Sequence, residues 1–175
     1  MQDKIEQGKI HVYTGNGKGK TTAALGLATR MLCSGGKVYM GQFIKGMEYG
    51  ELHLPDYFPN LTIRQFGRDC FIHQDPKKED FECALKGWEE VKEKLAKGEE
   101  ELIILDELNV AIFYKLLPLE EVLQVIDTRN PKPELVITGR YAPEEIIQRG
   151  DLVTEMKEIK HYFHQGVRAR KGIEY

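Results

Sequence analysis

VYTGNGKGKTTAALGLATRML, residues 12–32, places a glycine-rich turn between a β-rich run and a helical pattern. Ahead of the turn, residues 9–13 (KIHVY) read as a short strand. Behind it, Ala23, Ala24, Leu27, Ala28, Met31 and Leu32 recur at helical spacing, and the SGGK run at 34–37 stops the helix. Phosphate oxygens need several convergent donors. Glycines let the backbone curl so that successive N–H groups point inward, and the following helix adds its positive N-terminal end. In the pattern G-x-x-x-x-G-K-[ST], Gly19, Lys20 and Thr21 match the end. Thr14 stands at the first glycine position, with Gly15 and Gly17 inside the loop, so the loop is a variant. Lys20 supplies a mobile cation for the outer phosphates, and Thr21 a hydroxyl for Mg²⁺. Lys18 either touches phosphate or faces solvent.

Outward from this loop, strands and helices alternate. Strands are expected at 37–44, 61–66, 101–107, 134–139 and 152–159. Residues 45–60 and 67–76 read as long loops. Phe81, Leu85, Trp88, Val91 and Leu95 form one stripe of a charged helix over 77–97, with Trp88 in the core. Two helical segments divided near Pro118 follow, and a short helix opens with a proline at 142–150. The expected fold is therefore α/β: a RecA-like P-loop nucleotide-binding domain, one unit over 1–175, with a mainly parallel sheet covered by helices on both faces. Ligands on such sheets lie at the carboxyl ends of the strands. The glycine loop, both long loops and the Asp106–Glu107 pair all follow strands and share that edge.

The formal net charge of −3 gives no general pull towards nucleic acid or an anionic membrane. No apolar run reaches the length of a membrane span, and no signal peptide is evident, which favours the cytoplasm. Cys33, Cys70 and Cys83 have no paired spacing and read as incidental thiols. His11, His53, His161 and His164 lack metal-ligand spacing.

The second half of the site is IILDE, residues 103–107. A carboxylate at the tip of a neighbouring strand is where Mg²⁺ is held in such sheets. Asp106 and Glu107 alternate in direction, so that one faces the metal and the other orders the loop. These features define a Mg-nucleotide-binding α/β protein and leave the reaction open. Glu107 could activate water, as in an ATPase.

TGNGKGKTTAA (14–24), QFIKG (42–46), LDELN (105–109), VITGR (136–140) and the tail KHYFHQGVRARKGIEY (160–175) together resemble the P-loop ATP:corrinoid adenosyltransferases, over nearly the whole chain. The resemblance implies that reduced corrinoid, as Co(I), attacks the 5′ carbon of ATP and that triphosphate leaves intact. It gives Gly15, Asn16, Gly17, Lys18, Gly19, Lys20, Thr21 and Thr22 to the triphosphate cradle. Lys20 becomes a catalytic cation. Thr21 and Glu107 become the metal ligands, supported by Asp106, with Mg²⁺ or Mn²⁺ as the ion. Arg140 is a further nucleotide contact, or else a surface ion pair. Phe71, in the loop after the third strand, matches the aromatic that displaces the lower corrinoid ligand. His73 departs from the family pattern there. The short N-terminus departs too, since longer relatives cover the corrinoid with an arm. The resemblance also implies a reduced flavoprotein or similar electron donor and a homodimer. The tail is expected to pack through Val167, Ala169 and Ile173 and to shape the corrinoid pocket, or else to be a solvated basic strip or a phosphate-seeking arm. The competing readings are a RecA-like ATPase on nucleic acid, a small-molecule kinase, and a module that binds both ligands without turnover.

Overall fold

The computed structural model describes residues 7–68 and 76–175. Its elements run β1 (Ile10–Thr14), α1 (Lys20–Cys33), β2 (Val38–Phe43), α2 (Leu54–Tyr57), β3 (Leu61–Phe66), α3 (Lys78–Lys97), β4 (Leu102–Asp106), α4 (Leu108–Phe113), α5 (Leu119–Thr128), β5 (Glu134–Thr138), α6 (Glu144–Arg149) and β6 (Leu152–Glu155). The strands form one sheet in the order β3-β2-β4-β5-β1-β6. Every pairing is parallel. Each strand therefore ends on the same edge, which collects the loops that follow β1, β2, β4 and β5.

β2 and β4 are buried along their whole lengths, which is why they read as near-continuous apolar runs. Side chains alternate between the two faces. On one face Tyr39, Phe43, Ile103 and Leu105 pack with Trp88, Val91 and Leu95 of α3 and with residues of α4 and α5. On the other, Met40, Leu102, Ile104 and Val136 pack under Ala24, Ala28 and Leu32 of α1. The small alanines let α1 lie close to the sheet, and this closeness holds its first turn over the carboxyl edge.

Four expectations are corrected. Leu85 is 44% exposed, because α3 turns Ala84 inward in its place. The loop at 45–60 contains a 3₁₀ turn, Gly50–His53, and the helix α2, where Pro55 pre-sets the first turn. β6 stops at Glu155 because the next carbonyl, of Met156, accepts a bond from Gly17 N–H at 2.6 Å and the chain leaves the sheet. Glu107 is not a strand residue. It takes a left-handed conformation (φ 59°) that caps α4, so strand alternation does not govern its direction.

Candidate active site

The phosphate loop bridges β1 and α1. Gly15 (φ 94°) and Gly19 (φ 122°) occupy left-handed conformations that a side chain would strain. Gly17 is required for another reason: a Cβ there would meet the Met156 carbonyl oxygen at 2.7 Å. The neighbouring β6 backbone thus presses on the loop, and one loop amide, that of Gly17, is already committed to it. The Lys20 ammonium donates to the carbonyls of Gly15 and Gly17 at 2.7 and 2.8 Å, which folds it over the loop. Burial pulls its pKa down, against the opposing pull of Glu107.

One strand, β5, separates β1 from β4, and it supplies a link between their sites. Asp106 at the end of β4 is fully buried. Its Oδ1 accepts from Thr21 Oγ1 at 2.9 Å and from Thr138 Oγ1 at 2.8 Å. Its Oδ2 accepts from Lys45 Nζ at 2.7 Å and from Gln42 Nε2 at 3.3 Å. The Thr138 hydroxyl also accepts from the backbone N–H of Glu107 at 3.0 Å, which helps set the left-handed turn there. Glu107 points its half-buried carboxylate into the cleft, without a hydrogen-bond partner among the described residues. Burial and the adjacent Asp106 raise its pKa. Lys45 is reached through Ile44, a β-branched residue with φ 65°. Such a conformation costs roughly 1–2 kcal/mol, and it turns Lys45 back towards the sheet edge. Lys45 also lies 3.5 Å from Glu51 and above the Tyr49 ring. Burial disfavours its charge, but Asp106, Glu51 and Glu107 together outweigh this and raise its pKa.

A cleft of about 730 Å³ opens over these groups, between the phosphate loop, the turn at 49–54 and the C-terminal tail. Asn16, Lys18, Gly19, Thr21 and Thr22 line it, and so does Arg140, which is exposed and makes no ion pair among the described residues. The structure therefore brings together the loop, Lys20, Asp106, Glu107 and Arg140. Lys18 is exposed at the cleft and tied to the C-terminal tail. Its ammonium donates to Tyr162 Oη at 3.0 Å, the Ile173 carbonyl at 3.0 Å and Glu174 Oε1 at 2.7 Å. Glu174 also accepts from the Tyr162 hydroxyl and pairs with Arg170. The tail thus crosses the phosphate loop as a strap tied by polar contacts. The expected packing of its apolar residues is not found: Val167, Ala169 and Ile173 are exposed. Phe71, His73 and Cys70 lie outside the described residues.

Lys45, Gln42 and Thr138 emerge as site residues that strand-tip reasoning missed, although all three lie within the QFIKG and VITGR segments. Asp80 emerges as a support. Its carboxylate accepts from Arg68 at 2.6 and 3.0 Å and from the Lys77 N–H at 2.8 Å. It ties Arg68, after β3, to the start of α3.

A phosphate loop at the helix N-terminus, a saturated strand-tip aspartate and an open carboxylate beside it define a P-loop nucleotide-binding protein. The model of the ATP:corrinoid adenosyltransferase BtuR/CobO/CobP family matches residues 6–175, and the chain belongs to that family. It is 40% identical over 176 residues to the corrinoid adenosyltransferase of Escherichia coli (strain K12), covering 99% of this chain and 89% of that protein. It is 38% identical over 176 residues to the corrinoid adenosyltransferase CobA of Salmonella typhimurium (strain LT2), with the same coverage of both chains. The corrinoid adenosyltransferase of Pseudomonas aeruginosa is 36% identical over 99% of this chain and 87% of its own length. Domain III of the replication initiation protein DnaA from Thermotoga maritima has a TM-score of 0.46 at 13% identity, covering 89% of this chain and 57% of that one.

Proposed function

We propose that this enzyme, an ATP:corrinoid adenosyltransferase, moves the 5′-deoxyadenosyl group of ATP to the Co(I) centre of a reduced corrinoid in the cleft over the phosphate loop. The Co(I) electron pair forms the new Co–C bond, the C5′–O5′ bond breaks, and its pair leaves with triphosphate. The carrying observation is family membership across nearly the whole chain, phosphate loop included. Co(I) is itself a strong nucleophile, so the protein's work is alignment and charge neutralisation. Lys20 leaves the loop carbonyls for the triphosphate, and the free amides of Gly19 to Thr22 close around it. Gly17 supports the loop through Met156 instead. Arg140, exposed and unpaired among the described residues, serves the nucleotide.

The oxygen donors fit a divalent ion of the Mg²⁺ or Mn²⁺ type: Glu107 is open to the cleft, and Thr21 donates its proton to Asp106, leaving its lone pairs available. When bound, the ion neutralises charge on the departing triphosphate. Asp106, with four donors on it, orients Thr21 and the turn at Glu107. Phe71 presses on the lower face of the corrinoid. A single domain carries these roles. The reading extends to a reduced flavoprotein as electron donor, a homodimer and a cytoplasmic site. Among the described residues no helix is long and apolar enough to cross a membrane.

³¹P NMR under anaerobic conditions tests the reaction. Protein and MgATP with chemically reduced cob(I)alamin are expected to release intact triphosphate, and none without corrinoid. ADP and orthophosphate formed regardless of corrinoid would refute the reading and return the loop to ATPase or kinase chemistry.

A further inference from the structure

We infer that Lys45 is a resident counter-ion that keeps the metal position beside Asp106 closed until a triphosphate enters, and that it then serves the triphosphate as a second lysine. This rests on the reading of Thr21, Asp106 and Glu107 as the metal side of the site.

Asp106 offers about four acceptor positions, and four donors fill them. Thr21, Thr138 and Gln42 are short side chains fixed on α1, β5 and β2. Lys45 alone among the four is charged, and it hangs on a flexible stem from the loop after β2. Its side chain is only 15% exposed, against a carboxylate with no exposure at all. In so dry a pocket an ammonium and a divalent cation repel strongly, since little water screens them. Metal therefore enters beside Asp106 only when Lys45 moves off Oδ2.

Lys45 leaves when another anion takes its charge. Glu51, 3.5 Å away, is already paired with it, and Glu107 is the ligand the metal needs. A triphosphate on the phosphate loop supplies fresh negative charge across the same cleft, which Lys45 itself lines. Metal binding and nucleotide binding then become coupled, and each promotes the other by the same factor. The left-handed Ile44 fits this role: a strained residue at the root of the side chain aims Lys45 at the metal position rather than at solvent.

Mn²⁺ binding measured by electron paramagnetic resonance, without corrinoid so that no turnover occurs, tests the inference. The wild type is expected to bind Mn²⁺ weakly alone and well with ATP. Lys45→Met is expected to bind Mn²⁺ without nucleotide at least about tenfold more tightly than the wild type, a coupling of ordinary allosteric size. It is expected to bind metal-free ATP about tenfold more weakly by calorimetry. Lys45→Arg keeps the charge and is expected to gain no nucleotide-free Mn²⁺ site. Adding Asp106→Asn to Lys45→Met is expected to abolish the gain. Equal nucleotide-free Mn²⁺ binding by the wild type and Lys45→Met would overturn the gate. Unchanged metal-free ATP affinity in Lys45→Met would overturn the triphosphate role. A wild type that takes up no Mn²⁺ even with ATP would instead overturn the underlying metal-site reading.

Discussion

Replacing Asp80 by asparagine removes the charge that ties Arg68 to the start of α3 while keeping the side chain's shape. In the structure the carboxylate is 6% exposed and holds both nitrogens of a bidentate Arg68 pair, plus the Lys77 N–H at the start of α3. Hydrogen bonds to charged groups contribute about 1.5–3 kcal/mol each, but bonds that share one carboxylate do not add fully, so Asp80→Asn is expected to lose about 2–3 kcal/mol. For a chain of this size that is a drop in Tm of about 5–10 °C. The pH dependence carries the sign. The Arg68 guanidinium holds the Asp80 pKa below its ordinary 3.8, so the ion pair's contribution is full above that value. It is lost as pH falls through the lower folded-state value. Urea unfolding at pH 7 is therefore expected to separate the two proteins by the full amount, and the gap is expected to narrow below about pH 4. ATP affinity, set at the phosphate loop, is expected to hold. A pH 7 difference under about 0.5 kcal/mol, the size of an ordinary surface substitution, would refute the reasoning.

Lys20→Met should weaken ATP binding by about 10–100-fold in calorimetry, the loss of one or two charge-assisted bonds to phosphate. Gly17→Ala puts a methyl against the Met156 carbonyl. Hydrogen exchange should show faster exchange at β6 together with weaker ATP binding. Glu174→Gln should free the tail from Lys18, so that trypsin cuts at Arg168, Arg170 or Lys171 faster than in the wild type. Arg170 first, then Lys18, holds the Glu174 carboxyl well below the usual carboxylate range, so strap contact stays intact as pH falls from 8 to 5 and the mutant's excess cleavage should be the same across that window.

Local pattern determined a large part of this protein. The strand, glycine turn and helix around Lys20 are legible because each rests on period and turn chemistry within a few residues. Trp88 reads as core for the same reason. The charged faces and the strand-tip position of Asp106 follow from such patterns too. Leu85 lies one turn from Phe81 and so reads as core, but Ala84, about 100° around the helix from it, takes the inward position. Other features rest on which strands meet, and that is settled only when the whole sheet closes over both cores. β5 lies between β1 and β4, so Thr138, remote in sequence from Thr21 and Asp106, joins their hydroxyl–carboxylate link. Glu107 leaves the strand because its N–H finds Thr138, a partner 31 residues away. Lys45 reaches Asp106 through a strained Ile44 that no propensity favours. The tail reaches Lys18 from more than 140 residues away through Tyr162. Each of these is a long-range contact whose enthalpy outweighs a local preference, and local preference is all that sequence spacing records.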